Sequence, residues 1–116
     1  MGIQYADKPK QPGETLRYSM TFTPGKGIAA GDSLTGDPNV KVTRIADGVD
    51  VTIDVAGPPA IVGMLVTGSD VRAGNIIYAE IEGGTDGANY KITFSCDTTN
   101  GEIAVEEDLV IEVREL

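Results

Sequence analysis

The 116-residue chain has no histidine, no tryptophan and one cysteine, Cys96. Without histidine, neither a Ser–His–Asp nor a Cys–His arrangement can form, and the usual zinc sites lose their commonest ligands. A single cysteine cannot build a disulfide framework within the chain. Cations are scarce too: nine Lys and Arg stand against eighteen Asp and Glu, a net charge of −9. Nucleic-acid binding needs Lys and Arg gathered on one face. Here they are scattered from Lys8 to Arg114, so no nucleic-acid partner is expected. The apolar runs are a few residues long, too short for a membrane-spanning helix, and no membrane partner is expected. Met1 is followed by no basic stretch and apolar run, so no secretory signal is expected either.

What the chain does have is turn residues and alternation. Fifteen Gly and six Pro punctuate short segments of period two. Leu16, Tyr18, Met20 and Phe22 alternate with Arg17, Ser19 and Thr21, the pattern of a half-buried strand. Val40–Ile45 and Val49–Val55, joined by Asp47-Gly48, read as a hairpin. Ile76–Glu82 places Ile77, Ala79 and Ile81 on one face, with Ile76 and Tyr78 on the other. Tyr90, Ile92, Phe94 and Cys96 form a further inward face, followed by the hairpin dipeptide Asn100-Gly101. From Ile103 to Val113 every odd position is apolar except Glu107, where a bend, a bulge or an exposed stretch is expected. Gly36-Asp37-Pro38-Asn39 and Gly68-Ser69-Asp70 read as turns. No helical period is sustained. The expectation is one all-β domain of seven to eight strands, two packed sheets in Greek-key order, with a closed barrel as the alternative. Residues 1–14 show no period and read as an extended N-terminal arm on a sandwich of residues 15–116. Deleting residues 1–13 is expected to leave that sandwich folded.

Catalytic chemistry finds no footing. Cys96 lies on an inward face and reads as a small buried hydrophobe. Asp47, Asp50 and Asp54 gather near one hairpin, but no apolar pocket is expected there to raise a carboxyl pKa. Gly83-Gly84-Thr85-Asp86-Gly87 lacks the Lys-Ser/Thr of a phosphate loop and reads as a tight connection needing positive φ. No cofactor, metal site or catalytic residue is expected. A calcium- or sugar-binding sandwich module is the remaining binding alternative, though the shortage of exposed aromatics argues against sugar.

Three segments in order carry a resemblance. They are Lys10 to Phe22 (KQPGETLRYSMTF), Ile28 to Leu34 (IAAGDSL), and Gly83 to Ile92 (GGTDGANYKI), the last followed by Thr98–Glu102 and Leu109–Val113. Together they resemble the fiber-tail adaptors of tailed bacteriophages, over about residues 8–116. The resemblance implies an immunoglobulin-like sandwich, a non-enzymatic structural protein of the virion, bridging the head–tail connector or tail to fibers. A capsid decoration or cement protein of the same fold is the rival. The partners implied are connector, tail or fiber subunits, or capsid protein, with several copies in a symmetric assembly. Contacts are expected from the arm (Tyr5, Lys8, Lys10, Pro12), from the Gly- and Pro-rich loops (Lys26, Pro58, Pro59) and from Tyr78, exposed beside Ile76.

Overall fold

Strand alternation translates directly into two facing sheets. A computed structural model of the chain describes residues 3–6, 8–24, 27–28, 33–54, 64–72, 75–99 and 105–115. Its strands are β1 (Ile3–Tyr5), β2 (Thr15–Thr21), β3 (Thr23–Pro24), β4 (Gly27–Ile28), β5 (Leu34–Arg44), β6 (Val49–Asp50), β7 (Thr52–Asp54), β8 (Met64–Arg72), β9 (Ile76–Gly83), β10 (Asn89–Thr98) and β11 (Val105–Glu112). The larger sheet has the order β1-β11-β10-β5-β6 and the smaller β2-β9-β8-β7; β3 and β4 form a minor parallel pair. Counting β6 and β7 as one strand that changes sheets, eight strands build the two sheets. No helix occurs among the described residues.

The inward faces meet in one core. Leu34, Val40, Val42, Tyr90, Ile92, Phe94, Cys96, Leu109 and Ile111 come from the larger sheet; Met20, Ile77, Ala79 and Ile81 come from the smaller. The alternation of β2, β9 and β10 is thus realised as read, with Arg17, Ser19 and Thr21 outside.

The hairpin at Asp47-Gly48 forms, with Thr43 opposite Asp50 and Arg44 opposite Val49. Gly48 supplies the left-handed residue of the turn (φ +72°). Its second strand then leaves. Val51 buries its side chain, and Thr52–Asp54 pairs in parallel with Met64–Val66 of the other sheet. Thr52 makes the exit possible: its Oγ1 accepts from the Val42 amide (2.6 Å) and donates to the Val42 carbonyl (3.3 Å). The Val42 carbonyl keeps its ladder bond from the Val51 amide (2.9 Å), and the Thr52 side chain gives the Val42 amide the acceptor that the departing backbone removes.

Three expectations are corrected. Gly36-Asp37-Pro38-Asn39 is not a turn, because β5 runs through it unbroken from Leu34 to Arg44. The pairing with β10 jumps from Asn39–Ser95 to Thr35–Asp97, so three residues stand opposite Cys96 alone. Proline brings no donor to a ladder, and a bulge accommodates that gap. Gly68-Ser69-Asp70 lies inside β8, where the register shifts between Val66 and Gly68. Around Glu107, conversely, β11 pairs with β10 without a shift, so no bulge forms there; Glu107 stays half-buried at an inward register position opposite Phe94. The loops carrying Lys26, Pro58 and Pro59, and the dipeptide Asn100-Gly101, lie outside the described residues.

The N-terminal segment lies along the larger sheet. β1 pairs in parallel with Asp108–Val110, the Ala6 amide donates to the Val110 carbonyl (2.9 Å), and Lys10 bridges to Val113. A turn follows, closed by Glu14 N–H to the Gln11 carbonyl (3.1 Å) and Gln11 N–H to the Glu14 carboxylate (2.8 Å).

Candidate functional site

A β-sandwich that assembles does so through its outer faces, its edges and its end loops. The outer face of β1 carries the most exposed large apolar side chains among the described residues, Ile3 (59% exposed) and Tyr5 (73%). Tyr5 stands beside Val110 of β11, so a small apolar patch lies at this sheet edge. Gln4, the intervening residue, donates from Nε2 to the Met20 sulfur (3.3 Å) across the sandwich. A tyrosine with both an apolar body and a hydroxyl is well suited to anchor an interface.

The other arm residues stand differently. Lys8 is exposed. Lys10 is 0% exposed, because its stem packs inside and its Nζ donates to the carbonyls of Gly83 (2.7 Å) and Gln11 (2.9 Å). Burial lowers its pKa, against the opposing pull of Glu14 and Glu82. In the isolated chain, Lys10 joins the arm to the end of β9. Pro12 is half-buried in the turn. Tyr78 is half-buried on the outer face of the smaller sheet, where the Arg17 guanidinium covers its ring at 4.9 Å. Arg17 also pairs with Glu80 (3.4 Å). These residues fall on different faces and do not form one cluster.

The glycine-rich connection is a built corner. Gly83, Gly84 and Gly87 all have positive φ (+94°, +105° and +86°), the conformations expected of them. The Tyr90 hydroxyl accepts from the Thr85 amide (2.9 Å), and the Asp86 carboxylate accepts from the Glu115 amide (2.9 Å). Near the other hairpin, Asp47 holds Arg44 through three contacts, the shortest 2.6 Å, which keeps its carboxyl below the usual range. Asp50 is likewise lowered by accepting from the Thr52 amide. Both acids serve turns. Cys96 is buried, its sulfur 3.2 Å from the Thr35 carbonyl.

A family model described as podophage GP4 fiber-tail adaptor protein gp77 matches residues 10–112. The chain belongs to this family. No curated protein and no solved structure matches it. The adaptor is a structural, non-enzymatic component of the virion, linking tail to fibers. The matched span includes Lys10, the β2 strand, the Gly83–Tyr90 corner and all of β11.

One feature of the adaptor's surface left no signal in its sequence. A groove of about 350 Å³ lies between β2 and the edge formed by the N-terminal segment and β11. Ala6, Leu16, Tyr18 and Leu109 line it, with Lys8, Arg17 and Ser19. The Tyr18 hydroxyl is buried without a hydrogen-bond partner among the described residues. Burial, reinforced by Glu14, pushes its pKa up to about 12.

A pH dependence follows from Tyr18. The unfolded tyrosine ionises near 10 and the folded one near 12, so the folded state holds the proton more tightly between them. This contribution to stability is complete below pH 10 and is lost as pH rises through 12. Tyr18→Phe removes both the titration and an unsatisfied buried hydroxyl. The variant is expected to exceed the wild type by about 1 kcal/mol at pH 8, with a gap that widens at pH 11.5. Urea unfolding at the two pH values checks this; a gap that narrows contradicts it.

Proposed function

We propose that the adaptor works as a rigid spacer whose contacts are made by one sheet edge and the loops at its ends, in several copies arranged symmetrically. Family membership over residues 10–112 carries the reading. The patch of exposed Ile3 and Tyr5 beside half-buried Val110 supports the part assigned to the N-terminal segment. We divide the chain into an assembly arm, residues 1–14, and a sandwich, residues 15–116. Tyr5, Lys8 and Pro12 contact tail or fiber subunits, and Lys10 positions them by fixing the arm. Lys26, Pro58, Pro59 and Tyr78 complete the contact set. Repetition around a symmetry axis multiplies contacts that are individually small.

The fold reading in this proposal is immunoglobulin-like. In that topology one sheet carries strands in the order C-F-G and the other A-B-E-D. The order β5-β10-β11 and the order β2-β9-β8 support the assignment, with β2 in the place of strand B. The Tyr90 hydroxyl on the Thr85 amide supports it too, since such sandwiches fasten the corner before strand F with a tyrosine.

The test is negative-stain imaging of phage particles labelled with an antibody against this chain. Label at the neck or tail is the expected result. Label spread over the whole head contradicts it and makes the chain a capsid decoration protein.

A further inference from the structure

We propose that the free edge of β2, with the groove beside it, receives an extended strand from another virion protein; this deepens the adaptor reading and rests on it. Three observations meet there. The first is topological. β2 ends the smaller sheet, and among the described residues no strand pairs with its other side. Over the described residues, the remaining outer strands of the two sheets, β1, β6 and β7, span two or three residues, whereas β2 spans seven. It also pairs with β9 in one unbroken register, with no bulge to twist the edge away.

The backbone phase of that edge can be read. The Phe22 amide donates to the Asn75 carbonyl (2.7 Å), one step beyond the Thr21–Ile76 pair. Hydrogen-bonded and non-bonded pairs alternate in an antiparallel ladder. Leu16, Tyr18 and Met20 therefore direct their amides and carbonyls at β9. Thr15, Arg17, Ser19 and Thr21 direct theirs outward, as an added strand requires. On the immunoglobulin-like reading this is the side of strand B on which strand A lies. The N-terminal segment, which could have filled that place, pairs instead with β11.

The second observation is the groove. It opens alongside the outward-directed backbone and is walled by Ala6, Leu16, Tyr18 and Leu109. A strand laid on β2 turns every second side chain toward it, and apolar side chains of modest size fit there. The unpartnered Tyr18 hydroxyl suits a side-chain carboxylate or amide. The third observation is charge. In a chain with twice as many acids as bases, the groove is lined by two cations, Lys8 and Arg17 (the latter paired on its far side with Glu80), and by no carboxylate, so Lys8 carries the charge argument. The occupant is therefore an extended segment, apolar at alternate positions and acidic between or beside them.

Phage carrying Ser19→Pro in this chain test the proposal, with Ser19→Ala as control. Proline removes an outward amide that β9 does not use, and an edge strand tolerates it; circular dichroism and melting of the purified variant check its fold. Ser19→Pro is expected to cut the number of fiber-bearing particles at least tenfold, and Ser19→Ala to leave it unchanged. Tyr18→Phe is expected to cut it several-fold while raising the melting temperature of the isolated chain, opposite signs that a purely structural role does not produce. Folded Ser19→Pro and Tyr18→Phe chains in particles with wild-type fiber numbers overturn the strand-acceptor proposal and leave the adaptor reading standing. Wild-type particles without this chain at neck or tail overturn both. A purified wild-type chain that sediments as a dimer, with Ser19→Pro a monomer, overturns the proposal in favour of edge pairing between copies.

Discussion

Lys10→Ala is expected to destabilise the isolated adaptor by about 2–4 kcal/mol, a large effect for a residue near the N-terminus. Two costs add. The Gly83 and Gln11 carbonyls lose their charged donor. The space occupied by the buried stem is left unfilled. One gain opposes them, because an ammonium no longer has to be desolvated. Lys10→Met separates the terms: it restores most of the stem and the relief of desolvation, but not the hydrogen bonds, and should recover about half of the loss. Urea unfolding of the three chains measures it. A Met variant as stable as the wild type assigns no stability to the carbonyl contacts, and one as weak as Ala assigns none to the stem. The same geometry changes the result expected of deleting residues 1–13. That deletion removes Lys10 together with the β1–β11 pairing, the bond from the Lys10 amide to the Glu112 carbonyl and the bond from the Arg114 amide to the Lys10 carbonyl. It should lower the melting temperature of the sandwich instead of leaving it unchanged.

Lys10 also shows where sequence reading stops. Its neighbours Lys8 and Pro9 and the absence of any period mark a solvated arm, and nothing local announces that an ammonium has two carbonyls waiting, one of them 73 residues away. Where burial is decided by parity within a strand, the sequence is legible. Tyr18, Met20 and Phe22, then Ile77, Ala79 and Ile81, then Tyr90, Ile92 and Phe94 all point as their alternation says. Tyr78 stands out by the same parity as an aromatic off the core, whereas Tyr5 is read off the core only by its place in the arm. Where turn residues sit inside long strands, the sequence misleads. Gly36-Asp37-Pro38 and Gly68 have turn chemistry, yet flanking pairs on both sides hold the strand, and the sheet absorbs the misfit as a bulge. The sheet change at Val51 is hidden because Val49–Val55 alternates without interruption. The decision is made by the Thr52 hydroxyl on Val42, a contact across ten residues. The β2 edge is least legible of all. Whether a strand is central or terminal is a property of the whole pairing order, and Leu16–Phe22 reads the same in either place.

Phe94→Ala is expected to produce the larger loss, about 3–5 kcal/mol, by leaving a cavity in the middle of the larger sheet. Phe94 is fully buried, lies opposite Val40 on one side and Glu107 on the other, and sits two residues before the Cys96 position where β5 gains its extra residues. A backbone already irregular beside the cavity could soften the cost only by collapsing into it. The pairing argues otherwise: from Tyr90 to Ser95 β10 is paired with both neighbours, and β11 keeps an unbroken register. Partial relaxation is therefore confined to side chains, and the cost stays near the upper part of the range. Phe94→Leu, which keeps most of the volume, should lose only about 1–1.5 kcal/mol. A domain of this size has about 5–15 kcal/mol in total, so the Ala variant approaches unfolding under mild heat. In phage, this predicts fewer adaptor molecules per particle, because the unfolded fraction is removed before assembly. Ser19→Pro, by contrast, should leave the free chain folded and fail only at attachment. Melting curves of the purified variants, set beside fiber counts, distinguish the two kinds of loss: one side chain holds the sheets together, and the other position holds the edge open for a partner.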